Sequence, residues 1–176
     1  MANRSYLYAV DYNPAERKRE ESDKAQSIGE WNYGVPITFK ILLSVNCRSV
    51  HSLLFDHQDP IAITGEYPAG LERLYAFLEK LKTKYLYDPA MLEEGIRYTR
   101  TFFEKIPPQQ YFVLECGELY SMTDHGFVEQ NEVILTEIRD IEKEKELFYQ
   151  DVLKQPDEKD WLLGLDAWSD ILYYSL

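Results

Sequence analysis

Two neighbouring stretches of this chain set their apolar residues three and four apart, and each opens at a proline. Leu71, Leu74, Leu78, Leu81 and Tyr85 follow Pro68, and Leu92, Ile96, Thr99 and Phe103 follow Asp88-Pro89. That spacing lines the named side chains along one face of an α-helix. Proline suits the first helical position, because the N–H it lacks is one the helix leaves unpaired, and Asp88 is a good N-cap. Pro107-Pro108 stops the second helix. Two adjacent amphipathic helices need an apolar layer to lie on, so the chain must also supply a sheet or further helices.

The strands are read from short apolar runs bounded by turn residues. Ser5–Asp11 is Tyr-rich and ends at Asn13-Pro14, and Ile61–Gly65 reads firmly as a strand. Gln110–Tyr120 holds the strongest candidate, Tyr-Phe-Val-Leu-Glu-Cys, and Ser49–Phe55 is an edge candidate. Residues 15–27 carry no apolar stripe and read as an exposed loop or a solvated helix. Trp31-Asn32-Tyr33-Gly34-Val35-Pro36 reads as an aromatic turn. Pro36–Ser44 reads as a short helix with Ile37, Ile41 and Leu42 on one face, a buried strand being the competing assignment. Ile134, Ile138, Ile141, Phe148 and Val152 predict one long helix over Glu129–Leu153. Asp157 opens a final helix carrying Trp161, Leu165, Trp168 and Leu172. The expectation is an α+β fold with a small sheet of three or four strands covered by four or five helices. Residues 1–176 form a single globular domain with a helical C-terminal part from about 129. The apolar fraction of 45% is enough for a core.

Three segments together resemble a group of small uncharacterised bacterial proteins: the opening Met-Ala-Asn-Arg-Ser-Tyr-Leu-Tyr, the Glu30-Trp-Asn-Tyr turn with Pro36, and Ile61-Ala-Ile-Thr-Gly-Glu-Tyr before Gly70-Leu71. The resemblance implies a bacterial, cytoplasmic, single-domain protein. It brings no activity and no catalytic residues.

Charge narrows the classes of partner. The chain carries 31 Asp and Glu against 19 Lys and Arg, a formal charge of −12. Nucleic-acid binders present basic patches that release counterions from phosphates, and anionic membranes make the same demand. The basic cluster Arg17-Lys18-Arg19 is flanked by Glu16, Glu20 and Glu21. Nucleic acid and membrane are therefore not the expected partners, whereas a basic protein or a cation is favoured. Cys47 and Cys116 do not suggest a disulfide framework and fit a reducing compartment. The first residues lack the apolar run of a signal peptide, and no stretch approaches the roughly 18 apolar residues of a membrane span. A cytoplasmic location is expected.

Candidate chemistry is thin. His51, Asp56, His57 and Asp59 are close in sequence, but they read as a polar turn without recognised ligand spacing, so no metal or other cofactor is expected. Cys116 lies between Glu115 and Glu118, whose charges oppose a thiolate. The glycines form no phosphate-binding loop. The acids are more suggestive. Between Ile106 and Ile138 there is no Lys or Arg, and Glu115, Glu118, Asp124, Glu129, Glu132 and Glu137 fall there. Glu129 and Glu132 near a helix start stabilise that helix; Glu118 and Asp124 have no such role. Trp31 and Tyr33 in a turn are candidate anchors, since aromatics dominate interface hot spots. The expected contact set is Glu115, Glu118, Asp124, Glu129, Trp31 and Tyr33. The expected function is an acidic protein-binding module, specifically an immunity protein neutralising a basic bacterial toxin such as a nuclease. The alternatives are a hydrolase with a carboxylate site, which requires a deep pocket and a raised carboxyl pKa, and a non-enzymatic regulatory adaptor.

Overall fold

The computed structural model describes residues 3–84, 88–154, 163–174 and 176. Five strands, β1 (Arg4–Val10), β2 (Ala25–Asn32), β3 (Arg48–Val50), β4 (Ala62–Glu66) and β5 (Tyr111–Glu115), form one open sheet in the order β2-β1-β5-β4-β3. Every neighbouring pair is antiparallel. The described helices are α1 (Ile37–Leu43), α2 (Tyr67–Lys84), α3 (Pro89–Glu104), α4 (Gly117–Tyr120), α5 (Phe127–Arg139) and α6 (Ile141–Lys154). The fold is α+β. The sheet has five strands rather than three or four, and there are six described helices rather than four or five.

Strand alternation sorts the sheet into two faces. Leu7, Ala9, Ile63, Phe112 and Leu114 point into the main core, against α1, α2, α3, α5 and α6. The amphipathic stripes behave as their spacing requires: Leu74, Leu78 and Leu81 of α2 are buried, as are Leu92, Ile96, Thr99 and Phe103 of α3. Asp88 caps α3 by accepting from the Met91 N–H at 3.0 Å. Tyr85 lies outside the described residues. The opposite face holds Tyr6, Tyr8, Val10, Ala62 and Val113, and it is buried too. Its cover is not helical: Leu53 and Leu54 of the 51–57 loop, together with Leu172 and Leu176, lie over it. Burial on both faces explains the unbroken apolar run of β1.

α1 packs so closely on β4 and the start of α2 that a Cβ at Gly70 would overlap the Leu42 carbonyl oxygen. β5, the last of the five strands in sequence, sits between β1 and β4. Glu115 is thereby placed opposite Tyr6 on one side and Ala62 on the other.

Several boundaries differ from the sequence reading. β2 takes up residues 25–27 and also Trp31-Asn32, so Trp31 lies at the end of a strand and the turn begins at Tyr33-Gly34. As an edge strand, β2 needs little apolar alternation, and only Ile28 and Gly29 are buried in it. β3 is cut to three residues because the chain from His51 leaves the edge to cross the sheet. β5 ends at Glu115, and the next residues turn into α4. The long C-terminal helix is two helices. Asp140 closes α5 by donating its N–H to the Thr136 carbonyl, and its own carbonyl accepts from Lys143 and Glu144 at the start of α6. Lys40 bridges the break, 2.8 Å from Glu137 and 3.4 Å from Glu144.

The final helix is also corrected. Its expected start, Asp157 to Trp161, lies outside the described residues; beyond Gly164 (φ 71°) the chain is not helical. Trp168 instead pairs with Gly29 in an antiparallel bridge, Glu30 N–H donates to the Ala167 carbonyl, and Ser169 N–H donates to the Ile28 carbonyl. This segment covers part of the outer edge of β2, which would otherwise offer unpaired backbone groups. The Trp168 indole donates to Thr99 Oγ1 at 2.8 Å and packs among Phe39, Phe102 and Phe103.

Candidate functional site

The acids expected to form one face are divided by the fold. Glu115 is fully buried, at 0% exposure, on the loop-covered side of the sheet. The Ser52 hydroxyl and the Leu53 N–H each donate to it at 2.6 Å. Ser52 Oγ in turn accepts from the N–H groups of Leu54 and Phe55. Glu115 thus fastens the 51–57 loop across the sheet. Burial raises its pKa to about 7, while the two hydrogen bonds favour the ionised form and oppose that rise. A direct partner contact at Glu115 is corrected on these grounds: no surface of it is left to touch.

Glu118, at the start of α4, is part-buried and occupied. Its Oε2 accepts from the Arg4 N–H at 2.9 Å and the Tyr6 hydroxyl at 3.0 Å. Tyr6 carries the Tyr174 ring edge-on at 5.3 Å, and the Tyr8 hydroxyl donates to the Tyr174 carbonyl at 2.8 Å. These bonds tie the C-terminal residues to β1. Asp124 and Glu129 are exposed, with Glu129 3.8 Å from His125. Glu132 lies 3.9 Å from Arg139, and Glu137 is held by Lys40. Of the acids in this stretch, Glu137 and Glu132 thus meet a Lys or Arg, Lys40 from a distant element and Arg139 from the end of the same helix.

Cys116 is buried, and burial, reinforced by Glu115, pushes its thiol far up, which disfavours a nucleophilic role. His57 stacks on Phe127 at 5.6 Å and engages Asp59 through Nδ1, as a polar turn does. Among the described residues no group of three or more His, Cys, Asp or Glu is placed to hold a metal.

The aromatic candidates converge better than the acids. Trp31 and Tyr33 line a groove of about 600 Å³ with Glu30, Asp166, Ala167 and Ile171. Tyr33 sits at φ 61°, a backbone region that bulky residues rarely occupy. Its N–H donates to the Asn3 carbonyl at 2.8 Å, and the Ser5 hydroxyl donates to the Gly34 carbonyl at 2.7 Å, which fixes the turn. The ring is nevertheless 64% exposed, and Ile171 across the groove is 80% exposed. Packing does not account for an exposed aromatic held in that region, which makes it a candidate contact residue. Asp166 and Asp170 are exposed close by in sequence, while Glu30 is partly committed to Arg4 at 3.3 Å and to the Tyr173 N–H at 2.8 Å. None of Glu115, Glu118, Asp124 and Glu129 lines this groove. Asp166 and Ile171 were missed because a helical reading of 157–172 places neither of them beside Trp31. The positive φ of Gly164 was the local signal that the helix had ended.

An open antiparallel sheet with helices on one face, loops on the other and an aromatic groove beside its edge strand defines the class. Within it, the chain belongs to the family described as a domain of unknown function (DUF7822), whose model matches residues 11–156. No curated protein and no solved structure matches the chain.

Proposed function

We propose that this protein is an acidic protein-binding module of the bacterial cytoplasm, an immunity protein that neutralises a basic toxin through the groove formed by residues 30–33 and 166–171. The observation that carries the reading is the juxtaposition of Tyr33 and Ile171, both exposed, with Asp166 beside them. Aromatic and aliphatic anchors supply affinity when a partner buries them, and acids at the rim choose a basic partner and speed its approach. The charge of −12 extends that steering over the whole molecule. No described helix is long and apolar enough to cross a membrane, and both cysteines are free, which suits a reducing compartment.

The hydrolase reading has one observation in its favour, the raised pKa of Glu115. That carboxyl is sealed beneath Ser52 and Leu53 and lines neither of the two cavities described here. Substrate has no route to it without displacing the loop.

The test is co-expression with the basic protein encoded beside this chain's gene. The wild-type chain is expected to rescue growth, and the double variant Tyr33→Ala, Ile171→Ala to lose rescue while remaining folded. Affinity should fall at least about tenfold, the loss of one good anchor. A neighbour whose toxicity this chain does not relieve, or a double variant that rescues fully, overturns the reading.

A further inference from the structure

Two segments cover the outer face of the sheet, and they are held in different ways. The C-terminal segment is tied to β2 by backbone hydrogen bonds at Glu30 and Ser169, and it buries Ala167, Trp168 and Leu172. Residues 51–60 form no backbone–backbone hydrogen bond among the described residues, and all of them are half-buried or exposed. Their polar contacts are mostly internal: Ser52 Oγ accepts from the N–H groups of Leu54 and Phe55, and the Asp59 N–H donates to His57 Nδ1. The exception is Glu115, which takes both the Ser52 hydroxyl and the Leu53 N–H. Among the described residues, this carboxyl is the single hydrogen-bonded link between the segment and the rest of the protein.

The other contacts of the segment are apolar. Leu53 and Leu54 lie over the outer face with Tyr6 and Tyr8, the Phe55 ring sits so close to Gly117 that a Cβ there would overlap it, and His57 stacks on Phe127. Both ends are fixed, because Val50 of β3 and Ile61 before β4 are buried. One flank is open: a hollow of about 610 Å³ separates residues 51–57 from Tyr12, Pro14 and residues 17–21. Two anchored ends, no backbone ladder and one polar catch give this segment its own low opening energy, while the strands beneath it share that of the whole sheet.

We propose that residues 51–57 are a lid that opens as a unit between Val50 and Ile61, baring Tyr6, Tyr8 and Val113, and that Glu115 is its pH-sensitive latch. The closed lid buries this carboxyl without a cation. The titratable groups around it are Tyr6 and Tyr8 of β1, Cys116 beside it, Glu118 and Tyr120 of α4, and His51 and His57 of the lid itself. Arg19 acts on Tyr8 and Lys40 on Cys116, but neither is paired with Glu115. Burying the neutral acid therefore costs less than burying the anion, and the two hydrogen bonds offset only part of the difference. With the lid closed the carboxyl titrates at about 7; with the lid open it returns to water and to the ordinary 4.5. Opening thus releases a proton between those values, and the open form gains as pH rises. No residue of the lid lines the groove of residues 30–33 and 166–171, so its test is independent of the toxin-binding reading.

The experiment is native-state hydrogen exchange of the whole, isotope-labelled protein, read by NMR and corrected for intrinsic exchange rates. In wild type, the amides of Leu53, Leu54 and Phe55 are expected to share one protection factor, at least about tenfold below that of the β1 amides, and to respond little to sub-denaturing urea, as local openings do. Between about pH 5 and about pH 8 that protection should fall at least about tenfold as the closed form loses its proton. Glu115→Gln, which cannot ionise, should abolish the fall. Loop amides that match β1 in protection and urea response, or that show no protection at either pH, overturn the lid. A wild-type protection that stays level with pH, or a fall that survives in Glu115→Gln and so belongs to His51 or His57, overturns the latch.

Discussion

The loop-covered centre of the sheet and the groove beside β2 are both built from acids and aromatics, yet the fold treats them in opposite ways. At the centre, Glu115 meets two donors at 2.6 Å, and no part of it reaches solvent. In the groove, Tyr33 and Ile171 are exposed and Asp166 faces water. The same residue types therefore do different work. Where their hydrogen bonds are satisfied internally they fasten the fold, and where apolar surface is left uncovered they remain available to a partner. Net charge alone could not draw that distinction.

The largest effect should come from breaking the sealed region. Glu115→Ala leaves the Ser52 hydroxyl and the Leu53 N–H facing a buried void, and a loss on the order of 3 kcal/mol is expected in urea unfolding. If the loss is under about 1 kcal/mol, the loop is not fastened there. The pH dependence sharpens the same point. The folded pKa of about 7 lies above the ordinary 4.5, so the native state holds a proton that the unfolded chain has released between those values. The resulting stability is fully present below about pH 4.5 and is lost as pH rises through about 7. At about 1.4 kcal/mol per pH unit its size is on the order of 3 kcal/mol. Glu115→Gln should flatten the difference curve over that window; a curve parallel to wild type contradicts the assignment.

Groove substitutions should barely move stability. Tyr33→Gly removes the left-handed strain and is expected to change unfolding free energy by no more than about 1 kcal/mol, in the stabilising direction, while weakening partner binding. A clear destabilisation would make Tyr33 a packing residue. Smallest of all, Asp166→Asn with Asp170→Asn should leave stability within about 0.5 kcal/mol and lower only the association rate, with a shallower salt dependence. A changed dissociation rate would place these acids inside the contact rather than at its rim.

What the sequence disclosed follows the same division. Local signals were sufficient wherever a single element decides its own face. Asp88-Pro89 capped α3 as expected, and all four residues of its stripe are buried. β1, β4 and the core of β5 were legible from their apolar runs. β2 was not, because an edge strand buries little and its partner β1 supplies the order. The break at Asp140 keeps the same heptad-like stripe on both sides, so periodicity passes through it unmarked. The groove was half legible: Trp31 and Tyr33 stood out as aromatics near a turn, whereas Asp166 and Ile171 reach them through the Gly29–Trp168 bridge, a contact between residues distant in sequence. Glu115 read as a surface acid because its type is rarely buried, and only its position between Tyr6 and Ala62 reveals otherwise.

Backbone hydrogen exchange of the protein, alone and bound to the basic neighbour-encoded protein, asks directly which region a partner covers. Protection is expected at residues 30–33 and 166–171, with exchange at 115–118 unchanged. Protection confined to 117–132, with the groove exchanging as freely as before, would contradict the account and return the contact to the acidic stretch.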